Sequence, residues 1–596
     1  MLKRLLFLLR LYVTLLLIFV TQKLVFMLFN FPSAGGTTVR GWLGVLLHGL
    51  RLDSVTACYL MIVPVLVVVI SFFWWRIPVK RVLTVYYAIV APLMALAFAA
   101  DTVLYRFWGA KVDAADLMYV ANPKEMLASV TLVAILVGAL LIGLIVFHYL
   151  RRLRHATPPR FDRVLPVSSV VMLVVVALQF VGIRGGLSES TANVSYAYFS
   201  SIPFLNHSAI NPLFNVTHSL FKTEDLASQF HYYDNERLAE QAADLYPHSN
   251  AVADTLLNTD RPDILLVIWE GAGSEMILND SVGPNFCRWC RQGVFFSNCY
   301  ANSFRTDRGL VSIVNGWPGL PTTSLMKKAD MGRKLPSVAR SLQQAGYTTS
   351  FFYGGDIDFT NMRGHLSESG YARVEGREYY SGAQVLANWG VADEELFGRT
   401  PLDSHSPMFT TLLTLSSHEP WDVPTQRLSD PRCNAFAYTD ICLGTWLDSL
   451  SQTPEWNNLL VIIVADHGVP VNGLPRDGKH LSARIPVLWV GGAVKQPRCF
   501  DQLMNQSDLA ATLLAQLRMD VSHFTFSRNV LAPDYCNPFA VNAYKNGLFY
   551  IDTTGVTDYD CVSLSEQDDA YPSDPLRLQR TQTLLQLWYF TTGRLR

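Results

Sequence analysis

Four apolar runs in the second half of the chain are each followed by polar residues that could bind a metal ion or a phosphate group. Glu270, Asp356, His418 and the pair Asp466 and His467 stand at the ends of these runs. The runs have the length and composition of buried strands, and in an open α/β sheet ligands bind where the carboxyl ends of the strands meet. Carboxylates and imidazoles gathered at that edge would suit a hard cation and a phosphate. The arrangement indicates an enzyme.

The strongest candidates for metal ligands follow two of these runs. Asp466 and His467, with Gly468 after them, offer an oxygen and a nitrogen at one strand end, and Glu270 offers an oxygen from another. Three protein ligands leave coordination positions for a nucleophile and a substrate oxygen, as in catalytic metal sites. An isolated Asp-His pair is usually part of a surface turn. Here the pair directly follows the apolar residues 461–465, where an unpaired buried charge would be costly, so a metal site is predicted.

The chain has 596 residues, half of them apolar and only 16% charged, with a net charge of −1. This length is too great for a single hydrophobic core, so two or more domains are expected. The small net charge favours neither a nucleic acid nor a strongly anionic partner. The apolar excess is concentrated before about residue 185, so composition divides the chain there.

Residues 1–185 are predicted to form a transmembrane domain of five helices. Five apolar stretches reach the roughly 20 residues needed to cross a bilayer: residues 5–29, 54–75, 82–104, 127–150 and 165–183. Lys and Arg cluster before the first stretch, between the second and third, and between the fourth and fifth. Because cytoplasmic loops carry the excess of basic residues, the amino terminus is predicted in the cytoplasm and the chain after residue 185 outside it.

Residues 186–260 are polar with interspersed aromatic side chains. This connecting segment could lie along the membrane interface, where amphipathic rings are favoured, or pack as a strap on the surface of the next domain. Over residues 261–596 strand-like and helix-like runs alternate, with helices predicted at 334–345, 436–449, 506–517 and 575–590. The alternation predicts an α/β domain with a mostly parallel sheet flanked by helices. Its cysteines could form disulfides outside the cytoplasm or be small buried hydrophobic residues.

Several short motifs in this domain occur in a characteristic order. They are Trp269-Glu270-Gly271, Asn302-Ser303-x-x-Thr306-x-Arg308, Gly316-Trp317-Pro318, Ser417-His418-Glu419-Pro420 and Asp466-His467-Gly468. Over residues 261–530 the chain resembles the lipoteichoic-acid-synthase-like phosphoglycerol transferase family, which is part of the alkaline phosphatase and sulfatase superfamily. Five preceding membrane spans match the architecture of that family. The resemblance implies a sulfatase-like fold for the domain outside the membrane.

The resemblance also implies the roles of four residues. Thr306 would be both the nucleophile and a metal ligand, and Glu270, Asp466 and His467 would be the remaining ligands of a manganese-like ion, with Zn²⁺ and Mg²⁺ as alternatives. The chemistry agrees, because a threonine hydroxyl is a poor nucleophile at neutral pH. Coordination to a divalent cation lowers the pKa of such a hydroxyl.

His418 and Arg308 are predicted to contact the substrate side of the site. His418 would hydrogen-bond a phosphoryl oxygen or protonate the leaving alcohol, since histidine side chains commonly act as general acids and bases. The alternative is that His418 only fixes the turn before Pro420. Arg308 belongs to the motif of Thr306 and is placed among the substrate-binding residues.

A second group of substrate-binding residues is predicted from residues 359–363, which resemble the aromatic-Asn-Arg substrate segment of the family with one residue inserted. Arg363 suits bidentate phosphate binding, with a surface ion pair as the alternative, and Asn361 accompanies it. Where family members often carry a histidine before this segment, the chain has Tyr353. His480 could supply a substrate contact in its place or be a solvated loop residue.

The resemblance implies a bacterial, multi-pass protein of the cytoplasmic membrane with its catalytic domain in the periplasm or outside the cell. Its activity would move phosphoglycerol from phosphatidylglycerol to a glycan or glycolipid through a phospho-threonine. The alternatives are transfer of phosphoethanolamine from phosphatidylethanolamine, and a phosphodiesterase or sulfatase of the same fold. Sulfatases of this superfamily need a Cys or Ser nucleophile that becomes formylglycine, and Thr306 cannot be converted. A non-catalytic receptor would have lost its ligand set, and no ligand is missing.

Overall fold

The computed structural model describes residues 1–34, 36–74, 77–108, 111–112, 167–188, 190–220, 225–247, 249–252, 254–328, 330–381, 385–387, 390–400, 407–470, 476–566 and 571–595. The chain forms two compact units, Met1–Glu224 and Asp225–Arg596. The segment predicted to connect two domains, residues 186–260, is therefore divided between the units. Its first part belongs to the amino-terminal unit and its second part to the carboxyl-terminal unit.

The amino-terminal unit is helical. Its helices are α1 (Leu2–Phe29), α2 (Val39–Leu60), α3 (Ile62–Phe73), α4 (Val79–Trp108), α5 (Val167–Arg184), α6 (Pro203–Ala209) and α7 (Pro212–Leu220). By length and composition, the described helices that can cross a membrane are Leu2–Phe29 and Val79–Arg106. A third span is counted if α2 and α3, which meet at a bend of 43°, act as one.

These helices account for part of the predicted set of five spans. The first and third predicted spans correspond to α1 and α4, and the second to the bent pair. The fifth matches α5, whose described apolar part, Val170–Arg184, is shorter than a span. The fourth, residues 127–150, lies outside the described residues. The described part of the chain thus contains two or three spanning helices, not a clear set of five.

The predicted second span, residues 54–75, overlaps the end of α2 and all of α3, and α2 itself begins earlier, at Val39. Thr38 caps that helix and accepts a hydrogen bond from the Gly41 amide at 3.2 Å. Gly44 lies so close to the Phe199 ring that a Cβ atom at this position would meet it. The glycines of α2 therefore permit close helix packing in a stretch that hydropathy alone does not mark as a span.

Two buried ion pairs lie inside the amino-terminal unit. Lys23 pairs with Asp53, and Asn211 donates to the same carboxylate at 2.9 Å. Lys111 pairs with Asp101. All four charged side chains are at most 6% exposed. Because a buried charge is costly unless it is paired, these contacts fix α1 against α2 and hold the turn between α6 and α7 against both.

The carboxyl-terminal unit alternates helices and strands. Its helices are α8 (Asn235–Ala242), α9 (Ser274–Ile277), α10 (Pro284–Cys290), α11 (Thr306–Asn315), α12 (Met331–Lys334), α13 (Val338–Gln344), α14 (Met362–Glu368), α15 (Asp393–Gly398), α16 (Pro431–Leu450), α17 (Asp508–Gln516) and α18 (Pro575–Arg594). Its strands are β1 (Asp263–Trp269), β2 (Val294–Tyr300), β3 (Thr348–Tyr353), β4 (Arg373–Glu375), β5 (Val385–Ala387), β6 (Gly390–Val391), β7 (Met408–Leu413), β8 (Leu459–Ala465), β9 (Arg484–Val490), β10 (Arg498–Phe500), β11 (Met504–Asn505), β12 (Phe539–Tyr544), β13 (Gly547–Asp552), β14 (Gly555–Asp560) and β15 (Ser565–Glu566).

The main sheet has the order β10-β2-β9-β8-β1-β7-β3-β4, with β11 beside β2. Its strands pair in parallel except β9, which is antiparallel to β2 and β8. The predicted mostly parallel sheet is confirmed. Trp269 of β1 lies in register with Ala465 of β8. Glu270 and Asp466, the next residues along the two strands, therefore emerge side by side at the carboxyl edge.

A second sheet, which the sequence pattern did not predict, follows the last helix of the main layer. Strands β12, β13, β14 and β15 form an antiparallel meander. Helix α18 contacts β14 of this sheet. The nine cysteines all lie within the described residues and are free thiols. This structure therefore contains none of the disulfides that the sequence permitted.

Candidate active site

Three of the predicted metal ligands meet at the carboxyl edge of the main sheet. One ligand atom from each of Glu270, Asp466 and His467 lies within 4.8 Å of the others. The Nε2 atom of His467 is 3.2 Å from Oε1 of Glu270 and 3.5 Å from Oδ2 of Asp466. Both carboxylates are buried, so the cluster is shielded from solvent on the side of the sheet.

The hydroxyl of Thr306 completes this cluster. Its Oγ1 donates a hydrogen bond to Oε2 of Glu270 at 3.2 Å and lies 3.4 Å from Nε2 of His467. Thr306 is the first residue of α11, and the first amides of a helix have no intrahelical acceptor. Together with the helix dipole they favour a negative charge, such as a phosphoryl group, at this point. The structure thus brings together the four residues predicted as ligands and nucleophile.

A glycine sets the distance between the helix of Thr306 and the strand end of Asp466. A Cβ atom at Gly309 would overlap the carbonyl oxygen of Asp466. A helix-interior glycine lowers helix stability relative to alanine by about 1 kcal/mol. The role of Gly309 is therefore steric, because only a residue without a side chain lets α11 lie this near to the end of β8.

Hydrogen bonds orient the two ligands that follow β8. The Nδ1–H group of His467 donates to the carbonyl of Gly468 at 2.9 Å, which leaves Nε2 facing the carboxylates. Oδ1 of Asp466 accepts from the Gly271 amide at 2.9 Å and from the His467 amide at 2.8 Å. Such outer contacts fix a ligand's tautomer and direction.

The carboxylates and the imidazole shift each other's pKa. Burial and the charge of Glu270 raise the pKa of Asp466 to about 7. Burial lowers the pKa of His467, but Asp466 and Glu270 outweigh it and raise that pKa to about 10. Burial also works against ionisation of Glu270, yet its hydrogen bond and attraction to His467 hold its pKa below the usual value. The two carboxylates therefore repel each other and are stabilised by positive charge, which His467 supplies in part and a metal ion could supply in its place.

The donor set fits a divalent cation. Oδ2 of Asp466 is buried without a hydrogen-bond partner among the described residues, and an anionic oxygen is costly in that state. It faces Nε2 of His467. One nitrogen and several carboxylate oxygens, with an open side next to the Thr306 hydroxyl, are the ligands of a catalytic site for an ion such as Mn²⁺ or Zn²⁺.

The residues that hold Glu270 were missed by the sequence analysis. The hydroxyl of Ser417 donates to the carbonyl of Glu270 at 2.6 Å, and the Glu270 amide donates to Oγ1 of Thr414 at 2.9 Å. On the other side, the Gln506 amide group donates to the carbonyls of Ala465 and Asp466 at 2.6 and 2.8 Å. Only Ser417 carried a signal, since it lies in the Ser-His-Glu-Pro motif.

His418 lies on the open side of the cluster. It is partly exposed, and its Nδ1–H group donates to the carbonyl of Glu419 at 2.7 Å. Its charge contributes to lowering the pKa of Glu270. The contact with Glu419 matches the alternative in which His418 shapes the turn, and its role toward a substrate stays a prediction.

The other predicted substrate-binding residues have contacts within the protein. Arg363 donates to Asp358 at 2.8 Å, pairs with Glu378 and reaches the carbonyl of Val374 at 3.2 Å. These contacts match the ion-pair alternative. The amide group of Asn361 donates to the carbonyl of Met326 at 2.8 Å. The described contacts of both side chains are with the protein, so their role toward a substrate stays a prediction.

Arg308 and His480 are held in a similar way. Arg308 donates to the carbonyl of Thr323 at 3.1 Å. The ring of His480 stacks on Tyr300 with ring centres 6.4 Å apart and meets the Tyr571 hydroxyl at 3.5 Å. Neither side chain is placed in the cluster by these contacts, and the substrate role of each stays a prediction.

Comparison with known proteins agrees with this fold. Residues 262–519 match the family model described as Sulfatase. A crystal structure of an alkaline phosphatase superfamily protein from Vibrio parahaemolyticus is 23% identical, covering 62% of this chain and 99% of that one, with a TM-score of 0.52. The lipoteichoic acid synthase LtaP from Listeria monocytogenes is 15% identical, covering 60% and 98%, with a TM-score of 0.49.

The Vibrio structure shows a shared fold. Residues 262–519 thus match the Sulfatase family model, and the carboxyl-terminal unit shares the fold of the Vibrio protein, in agreement with the fold that the motifs implied.

Proposed function

We propose that the protein is a metal-dependent phosphoglycerol transferase. It takes the head group of phosphatidylglycerol and passes it to a glycan or glycolipid outside the cytoplasm. The observation that carries the proposal is the hydroxyl of Thr306, which lies between Glu270 and His467 at the positive end of α11. An alcohol so placed is suited to attack phosphorus.

Glu270, Asp466, His467 and Thr306 would hold the metal ion, Mn²⁺ in this proposal. When bound, such an ion lowers the pKa of a contacting hydroxyl and screens the charge of a phosphoryl group. Because Oγ1 of Thr306 donates to Glu270, the carboxylate is placed to accept the proton as the hydroxyl attacks. The amides at the start of α11 bind the phosphoryl oxygens.

The reaction then has two steps. In the first, Oγ1 of Thr306 forms a bond to phosphorus while the bond from phosphorus to the diacylglycerol oxygen breaks, and His418 supplies that oxygen with a proton. In the second, a hydroxyl of the acceptor attacks phosphorus and gives its proton to His418, while the Thr306 oxygen leaves and regains its proton from Glu270. The apolar helices of the amino-terminal unit support a lipid donor, because an anchored enzyme meets membrane lipids at high local concentration.

The proposal is tested with the full chain in detergent, Mn²⁺ and phosphatidylglycerol carrying a fluorescent acyl chain. We expect release of fluorescent diacylglycerol, and its loss in Thr306→Ala. Thr445→Ala is the matched control, because Thr445 is an exposed threonine of α16. Phosphatidylethanolamine with the same acyl chain identifies the head group. Release that survives Thr306→Ala contradicts the proposal, and a preference for phosphatidylethanolamine replaces the proposed donor.

A further inference from the structure

The last residue of β3, Tyr353, faces the same side of the main sheet as two predicted metal ligands. Parallel pairing places it in one row with the residues opposite it on β7, β1 and β8, which are Leu413, Ile268 and Val464. Glu270 and Asp466 stand two positions beyond this row, directly after β1 and β8. Side chains two positions apart along a strand point to the same face. Tyr353, Glu270 and Asp466 therefore belong to one side of the carboxyl edge.

The ring of Tyr353 extends past the end of β3. Gly355 stands two positions further along the chain, and a Cβ atom there would lie 2.6 Å from Cζ and 2.7 Å from Oη of Tyr353. The tip of the ring thus packs on the backbone of Gly355, in space that a side chain at this position would fill. This packing carries the hydroxyl to the carboxyl edge, where the predicted metal ligands lie.

In the part of the chain that the structure describes, nothing hydrogen-bonds to the hydroxyl of Tyr353. The residue is half-buried. The hydroxyl of Tyr347, just before the other end of β3, also has no partner among the described residues, but it is fully buried. Arg363, which was predicted to bind phosphate, is by contrast held by Asp358 and Glu378. The hydroxyl of Tyr353 is therefore available to a ligand at the carboxyl edge.

The neighbouring carboxylates keep this hydroxyl protonated. Burial and the charges of Glu270 and Asp466 raise the pKa of Tyr353, so the phenol remains a neutral donor at neutral pH. A phosphoryl group that reacts with Thr306 comes next to the same carboxylates, which repel its negative charge. Donors aimed at its oxygens offset that repulsion, because a hydrogen bond to a charged oxygen is stronger than one between neutral groups.

We infer that the hydroxyl of Tyr353 donates a hydrogen bond to a non-bridging oxygen of the phosphoryl group that Thr306 attacks. The phosphorus then lies between the nucleophile on α11 and the donor at the end of β3. The inference deepens the proposed function and rests on it for the attack by Thr306. The contact itself requires only that a phosphoryl group binds at the cluster of Glu270, Asp466 and His467.

The test measures binding without turnover. The full chain in detergent with Mn²⁺ is titrated with glycerol 3-phosphate, and separately with inorganic phosphate, by isothermal titration calorimetry. Tyr353→Phe keeps the ring that packs on Gly355 and removes the hydroxyl. We expect it to raise the Kd of both ligands about tenfold or more, which is the usual effect of losing a hydrogen bond to a charged group.

Tyr347→Phe is the matched control, because it removes a hydroxyl near the opposite end of the same strand and should leave both Kd values unchanged. Mn²⁺ should raise the Tm of all three proteins equally, which verifies that the metal ligands are undisturbed. An equal rise of Kd in Tyr347→Phe overturns the inference, as does an unchanged Kd in Tyr353→Phe. A rise for glycerol 3-phosphate alone also overturns it, because the contact is then with the glycerol.

Binding of neither ligand to the unsubstituted protein overturns the inference as well. A failure of the proposed function gives a different result. In that case no diacylglycerol is released from phosphatidylglycerol, while the two phosphates still bind and still depend on the hydroxyl of Tyr353. The two proposals are therefore tested separately.

Discussion

At the scale of single residues, Asp466, a predicted metal ligand, carries a cost to folding. Its carboxylate is buried beside that of Glu270, and its pKa is raised to about 7 by burial and by that neighbour. A buried acid whose folded-state pKa lies above its ordinary value of about 4 weakens folding as pH rises through that interval. A buried carboxylate with this cost is expected where its oxygen serves a function, which here is the proposed binding of a metal ion.

Asp466→Asn should make this conflict measurable. The asparagine side chain has the same shape as the aspartate, and its Oδ1 atom can still accept hydrogen bonds from the backbone amides of Gly271 and His467. It carries no charge, so the repulsion between this residue and Glu270 is removed. In EDTA at pH 8 we expect the variant to melt at a higher temperature than the unsubstituted protein, while added Mn²⁺ no longer raises its Tm. Differential scanning calorimetry checks both effects. A variant that is less stable in EDTA, or that still gains from Mn²⁺, would refute the assignment of Asp466 as a ligand.

At the scale of elements, the contact between α11 and β8 controls the geometry of the site. Gly309→Ala would favour the helix intrinsically by about 1 kcal/mol, but overpacking against a backbone carbonyl costs about 1–3 kcal/mol. The clash should dominate, because the carbonyl belongs to Asp466 and cannot move freely.

We therefore expect Gly309→Ala to fold and to lose at least tenfold in kcat for diacylglycerol release, since α11 must carry Thr306 away from its neighbours. Gly398→Ala is the control, because a Cβ atom there meets nothing within 4 Å. Circular dichroism verifies folding. Activity equal to that of Gly398→Ala would show that the close approach is irrelevant to the site.

The far end of α11 is fixed by a buried histidine whose effect depends on pH. The Nε2–H group of His365 donates to Oδ1 of Asn315, the last residue of the helix, at 2.8 Å. Burial lowers the pKa of His365 to about 4, whereas an unfolded histidine titrates near 6.5. The unfolded chain thus takes up a proton first, and folding stability falls as pH drops from about 6.5 toward 4.

His365→Gln should remove this part of the acid sensitivity. At about 1.4 kcal/mol per pH unit, the native histidine accounts for a loss of at most about 3 kcal/mol over that range. Urea unfolding of the two proteins at pH 7 and pH 5 measures the difference. We expect the variant to be less stable at pH 7 but to lose less stability on acidification. An equal loss in both proteins would mean that His365 is protonated in the folded state.

Particular elements show how far the sequence could predict these features. Strands β1 and β8 were predictable because each is an apolar run. The parallel sheet then brings the polar residues that follow these two strands to one edge. The meander β12–β15 was not predictable, because its register depends on pairing among short strands. The ion pair of Arg363 could not be predicted either, because its partner Glu378 lies fifteen positions away along the chain. The start of α2 depends on tertiary packing at its glycines.

At the scale of the whole molecule, the two compact units should respond differently to metal. The predicted ligands all lie in Asp225–Arg596. A ligand that binds only the folded state at a hundred times its Kd adds about 2.7 kcal/mol of stability. Calorimetry in detergent should show two unfolding transitions, and Mn²⁺ should raise the temperature of only one of them. That increase should disappear in Glu270→Gln, which removes a ligand. A shift of both transitions, or of neither, would contradict a single site in the carboxyl-terminal unit.

The most direct measurement concerns the covalent state of Thr306 during turnover. The full chain is mixed with Mn²⁺ and phosphatidylglycerol without acceptor, quenched in acid within seconds and digested, and the peptide containing Thr306 is weighed by mass spectrometry. We predict a mass increase equal to one phosphoglycerol unit on Thr306, formed in step with diacylglycerol and removed when a glycolipid acceptor is added. Diacylglycerol that accumulates while Thr306 stays unmodified at every quench time would contradict the account.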